Sequence, residues 1–372
     1  VPARPPRDTR LDIFRGLLQL AIFASHATGS WLGAWLIPAP WGLSDSSEQF
    51  VFLSGFTLGS VFARKAARGG WLAAARDLLG RTWRLYRTHL VVFVLFGLAI
   101  AAVGATLLPG ETERTDYAPI FAHPLAHLPA VLLTVEQPTY MSILPLFIWC
   151  MLLLPGFAAA EARWGNLSLV LPLAVYAGAW VALPDTQGHG WEAGIGFNPF
   201  TWQLLFLLGA WLGRRALLLG RALPFDAGWA RGLTVAAVAI VAAGLWIRLG
   251  QHGFIGGPVV PALGWLADKK DLPPARLLHA LALAWLVAAL VPREAGWMRR
   301  ALPRWLAAIG RHSLHVFCVG LFLSWGSSVV FRLVPYSLPL DALLIGGGCA
   351  MLALFAFWRE RRTSVARVAV AA

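Results

Sequence analysis

The stretch LDIFRGLLQLAIFASH, Leu11 to His26, decides how the chain is read. It is apolar enough for a membrane span, yet it carries Asp12, Arg15, Gln19 and His26. At about 100° per residue, Arg15 and His26 differ by only about 20° around a helix, with Asp12 and Gln19 on the same side. A rise of about 1.5 Å per residue sets His26 about 16 Å beyond Arg15. One polar stripe therefore runs into the bilayer, and His26 is expected near its middle. Ionisable groups at such depth are costly, so they face a cavity or a partner and are functional candidates by default. The plain alternative is an interfacial Asp12–Arg15 pair with His26 bonded to a neighbouring helix.

The rest of the chain agrees with a membrane setting. Of its 372 residues 58% are apolar or aromatic and 13% are charged, about half the charge of an ordinary soluble domain. Soluble α/β, barrel and sandwich folds drop out. The three cysteines lie in apolar runs and suggest no disulfide framework. An all-α, polytopic transmembrane bundle of about ten spans is expected: 11–35, 49–62, 88–108, 143–160, 167–183, 201–219, 233–247, 277–291, 314–331 and 338–358. The second, seventh and eighth are short for ~30 Å of hydrocarbon and are expected to extend into their flanks or to re-enter. The whole, 1–372, reads as one membrane domain with a basic tail at 1–10 and a second tail at 359–372.

Orientation follows from basic residues, which stay cytoplasmic near span ends. With both termini inside, 24 of the 31 Lys and Arg fall on the inner side, the largest group in the loop Arg64 to Arg87. The net charge of +13 is thus spread over short loops, which argues against a nucleic-acid partner.

Other polar groups extend the list of candidates. Asp45 and Glu48 stand three apart at the start of the second span, where acids also cap a helix and complement its dipole. Ser54-Gly55 suits close helix packing. Arg81, Arg84, Tyr86 and His89, in RTWRLYRTH, form a basic segment that fits phosphate groups and fits anionic lipid heads equally well. Asn198, Gln203, Arg276, His279 and Arg311 are further candidates, each weak alone. His123 and His127 have metal-ligand spacing without a matching acid or cysteine set, so no metal is expected.

Arg15-x10-His26, FVFLSGF from Phe50 to Phe56, and Arg81-x-x-Arg84-x-Tyr86 together resemble the integral-membrane acyltransferase superfamily. Within it, RDTRLDIFRG, WGLSDSSEQFVFLSG, MSILPL, FNPFTWQLLFLLG and IGRHSLHVF are similar to the OpgC-type succinyltransferases of osmoregulated periplasmic glucans. The resemblance implies a multi-pass enzyme of the bacterial inner membrane, with membrane lipids around it. It would move an acyl group, succinyl by the family's type, from cytoplasmic acyl-CoA to a hydroxyl of a periplasmic glucan. Succinyl-CoA or another acyl-CoA is then a co-substrate, and no tightly bound cofactor is implied. By the same resemblance Arg15 and His26 take the Arg-x10-His positions, Ser54 and Gly55 a Ser-Gly turn, and Arg81 and Arg84 the basic segment. That segment departs from the superfamily in lacking a proline before its last aromatic position.

Acyl transfer to an alcohol needs a base for the hydroxyl proton, and His26 is the candidate. Arg15, also read as catalytic, would meet CoA phosphates or the thioester carbonyl at the inner mouth, and Asp45 or Glu48 are candidates for holding the imidazole tautomer. Asp12, Gln19, Ser54, Arg81, Arg84, Tyr86, His89, Asn198, Gln203 and Arg311 are read as substrate-binding. Direct attack by the glucan and a transient acyl-His26 both remain open. The competing class is a transporter or flippase for a glycan or lipid-linked sugar, in which the same stripe lines a path. The oligomeric state stays open.

Overall fold

The computed structural model describes residues 8–182, 195–220, 222–223, 227–255, 269–293 and 295–371, with side chains as far as 362. Most of the basic N-terminal tail, the end of the expected fifth span at Leu183 and the side chains of the C-terminal tail beyond 362 lie outside the described residues. Among the described residues the chain is helical and contains no strand. The α-helices run in the order α1 (Thr9–His26), α2 (Trp31–Trp35), α3 (Ser46–Thr106), α4 (Glu111–Arg114), α5 (Ala118–Ala122), α6 (Pro124–Leu132) and α7 (Ile143–Trp164). They continue as α8 (Val170–Ala182), α9 (Pro199–Leu218), α10 (Gly228–Gln251), α11 (Pro274–Leu290), α12 (Ala301–Arg311), α13 (Ser313–Leu333) and α14 (Leu338–Ala371). Five helical stretches are long and apolar enough to cross a membrane: Ser46–Thr106, Ile143–Val181, Gly228–Gln251, Ser313–Leu333 and Leu338–Arg362.

Two sequence expectations change. The first span, expected to run from Leu11 to Trp35, is broken. Asp8 caps α1 by accepting from the Arg10 amide, and α1 ends at His26. The break follows from the next residues: Gly29 has φ +100°, which glycine adopts freely, and Ser30 opens α2 by accepting from the Gly33 amide at 2.7 Å. His26 therefore sits at a helix C-terminus. The expected loop from Arg64 to Arg87 is instead helical, part of the 61-residue α3, interrupted only where Gly70 takes φ +80° and ψ 167°. Asp77 bonds Lys65 and, at 2.8 Å, Arg81, so one carboxylate ties the two sides of that bend.

The residues group into two compact units, one made chiefly of Val51–Pro224 and Asp268–Pro273, the other of Arg4–Phe50, Phe225–Ala267 and Pro274–Ala372. In the first, α3 and α9 cross through glycines. A Cβ on Gly55 would lie 2.0 Å from the Phe206 carbonyl oxygen, and one on Gly213 would lie 1.9 Å from that of Phe56. The backbones touch because no side chain separates them, the packing that small residues permit in lipid. Trp202 of α9 is fully buried and donates to the carbonyls of Lys269 and Lys270, which docks that segment on the helix.

In the second unit α1 packs on α12 and α13, and α12 and α13 pack on α14. Phe23, Ile309, Val316, Leu352 and Ala356 form its core. The α1–α12 crossing is reciprocal: a Cβ on Gly16 would meet the Leu306 carbonyl oxygen at 1.9 Å, and one on Gly310 would meet that of Asp12 at 1.9 Å. Helices α10 and α11 form a pair of their own, joined by the Trp285 indole donating to Thr234 at 3.0 Å.

Candidate functional site

The end of α1 is built around His26. Its Nδ1 lies 2.7 Å from the carbonyl oxygen of Ile22 and 3.0 Å from Ser25 Oγ. A carbonyl only accepts, so Nδ1 carries the proton and Nε2 carries the lone pair. The same carbonyl accepts from Ser25 Oγ at 2.9 Å, so side chains close this turn of the helix while the imidazole tautomer is set. The ring is half-buried and lines a crevice with Gln19, Ile22 and Phe23 of α1 and with Phe317, Gly320, Leu321 and Ser324 of α13. The crevice holds about 10 Å³, room for one water-sized group.

Three side chains far along the sequence hold this helix end. Ser324 donates to the Phe23 carbonyl at 2.8 Å. Ser328 donates to the His26 carbonyl at 3.3 Å and accepts from the Thr28 amide at 2.8 Å. Asp341, fully buried, accepts from Ser30 Oγ and from the amides of Trp31 and Leu32. None of the three was singled out from the sequence. The i,i+4 spacing of Ser324 and Ser328, and an acid opening the apolar α14, were the signals available. On the same face of α1, Arg15 is half-buried, whereas Asp12 and Gln19 are buried.

Asp45 and Glu48 are gathered elsewhere in the same unit. The guanidinium of Arg276 bonds Glu48 through Nε and lies 3.1 Å from Asp45, with Arg276 and Glu48 almost fully buried. Glu48 also accepts from the Asp45 amide at 2.9 Å, so it acts as a cap at the start of α3 as well. One turn on, Ser44 Oγ lies 2.7 Å from His279 Nδ1, whose ring is pressed between Gly42 and Gly244. Arg248 donates to the Gly42 carbonyl. The i,i+3 pair Arg276 and His279 in an apolar helix was the visible trace of this network. The tautomer of His26 is set by the Ile22 carbonyl, and the described ion pairs of Asp45 and Glu48 run to Arg276.

In the first unit, Arg81 is engaged by Asp77, while Arg84 is exposed. Tyr86 stacks on Trp83 at 5.4 Å and donates to the Leu132 carbonyl. His89 is fully buried edge-on to Phe93, and neither ring nitrogen has a hydrogen-bond partner among the described residues. Ser54 and Gly55 lie inside α3, so the expected Ser-Gly turn is continuous helix, with Gly55 at the α9 crossing. Asn198 caps α9 by accepting from the Phe200 amide and bonds Asp271, and Gln203 donates to the Pro172 carbonyl. In the second unit Arg311 pairs with Glu360 at 2.7 Å.

Five long apolar helical stretches among the described residues define a helical membrane protein. The chain belongs to the OpgC family: the model of that family, described as OpgC protein, matches residues 7–364, nearly its full length. No curated protein and no solved structure matches the chain significantly.

Proposed function

We propose that the protein is an integral-membrane O-acyltransferase of the bacterial inner membrane that moves a succinyl group from cytoplasmic acyl-CoA to a hydroxyl of a periplasmic glucan. Family membership supports the acyltransferase class, and the resemblance of the motifs supports donor and acceptor. The observation that carries the reading is the His26 imidazole, protonated on Nδ1 by its bond to the Ile22 carbonyl and so basic at Nε2.

In this reading Nε2 removes the proton of the glucan hydroxyl as its oxygen attacks the thioester carbonyl. The tetrahedral intermediate then collapses, and the departing CoA thiolate takes the proton from the imidazolium. Direct transfer is preferred to an acyl-His26. Arg15 supplies positive charge on the same helix face, and Arg81 and Arg84 are proposed phosphate ligands for CoA, since a guanidinium fork matches phosphate oxygens. About ten spans with both termini cytoplasmic are part of the proposal. A straight helix of 61 residues would extend about 90 Å, three times the hydrocarbon thickness, so the bend at Gly70 supports two crossings within α3.

The test is acyl transfer by purified protein, read as CoA release and as mass gain of the glucan. His26→Gln keeps hydrogen bonding and loses the base, and is expected to lower the rate by ~10² to 10⁴ at unchanged detergent melting. Near-wild-type transfer by a folded His26→Gln protein would remove His26 from catalysis, and a folded wild-type protein that consumes no acyl-CoA would overturn the reading in favour of a transport path.

A further inference from the structure

Gln19 stands seven residues before His26, which on a helix is about 20° from the same direction and about 10 Å along the axis. Side chains lean toward the helix N-terminus, so the His26 ring leans back over the turn that separates it from Gln19. Both line the crevice between α1 and α13. Gln19 is 2% exposed, and its Nε2 is buried with no acceptor within reach among the described residues. Buried amide donors are nearly always bonded, and one left unbonded lowers stability. The other polar wall of the crevice offers little: the Ser324 hydroxyl is committed to the carbonyls of Phe23 and Gly320, both at 2.8 Å.

A donor kept without a partner beside a base is what acyl transfer requires. When the hydroxyl oxygen bonds to the thioester carbon, the carbonyl π pair moves onto oxygen, and a preplaced N–H gains strength as that charge appears. We propose that Gln19 is a catalytic residue of this site, its Nε2 donating to the acyl carbonyl oxygen and most strongly to the tetrahedral oxyanion. The inference rests on the acyl-transfer reading and deepens it. It divides the labour of one helix face: His26 handles the proton, and Gln19 the negative charge.

The experiment uses the full-length protein in detergent with succinyl-CoA and glucan. Gln19→Met keeps the length of the side chain and removes the donor. Loss of one such donor is expected to lower kcat by ~10² or more, with KM for succinyl-CoA nearly unchanged. Melting temperature should hold or rise, because the substitution removes an unbonded buried amide. This opposite movement of rate and stability separates the proposal from a structural amide, whose loss would lower both together. A kcat close to wild type, or a fall in kcat that tracks a fall in melting temperature, would overturn it. Gln19→Asn, which keeps the amide but withdraws it by one methylene, should show the same split more weakly; if neither variant folds, Gln19 is structural. His26→Gln is run beside them. An inactive His26→Gln with an active Gln19→Met removes this inference alone, whereas a folded wild-type protein that consumes no acyl-CoA removes the acyl-transfer reading and this inference with it.

Discussion

The fully buried carboxylate of Asp341 accepts from the hydroxyl of Ser30 at 2.5 Å. The same carboxylate takes the amides of Trp31 and Leu32 at 2.8 and 2.9 Å and the Tyr336 phenol at 3.2 Å. An acid on α14 thus shapes the turn that follows His26, and it satisfies backbone donors at the start of α2 that helix geometry leaves open.

Removing that acid should loosen the turn. Asp341→Ala strands buried donors, and hydrogen bonds to charged groups contribute about 1.5–3 kcal/mol each. We expect a loss of roughly 2–4 kcal/mol, read as a lower detergent melting temperature, together with lower acyl transfer. Asp341→Asn, which still accepts, should lose less than half as much. Equal stability of Asp341→Ala and wild type would refute the anchoring role.

The Arg276 network makes a second prediction. Arg276→Met leaves the buried Glu48 carboxylate without its guanidinium, a change of the kind that costs about 3–5 kcal/mol. The double variant Glu48→Gln/Arg276→Met should recover part of that loss, because the fully buried charge is gone and only the less buried Asp45 is left without the guanidinium. Denaturation of the four proteins as a cycle checks this coupling. Strictly additive effects would mean that the pair does not act as a unit.

The basic segment of α3 makes the third. Arg81 is tied to Asp77, whereas Arg84 is exposed. If CoA phosphates are bound here, Arg84→Gln should raise KM for acyl-CoA roughly tenfold, the loss of one charge-assisted bond, and Arg81→Gln should raise it less. Steady-state kinetics at varied acyl-CoA, with kcat little changed, is the check. An unaltered KM in both variants would assign the segment to lipid headgroups.

The sequence by itself determined what depends on local pattern. Apolar runs and scarce charge gave the helical membrane class. The eleven-residue spacing from Arg15 to His26 placed both on one face of α1, because helical periodicity needs no tertiary contact. Gly55 was legible as a packing residue for the same reason.

Only the tertiary structure decided which groups meet. Asp45 and Glu48 find Arg276, Ser30 finds Asp341 and Phe23 finds Ser324 across more than 200 residues of chain, and no local pattern encodes such pairings. The end of α1 at His26 was equally hidden. An apolar run continues through Trp35, but Asp341 gives the amides after Ser30 a better acceptor than a continued helix would, and Ser324 and Ser328 hold the helix end in place. That break puts His26 at the last turn of α1, where its ring lines the crevice. The helical stripe supplied the imidazole, and contacts from distant helices set where its helix stops.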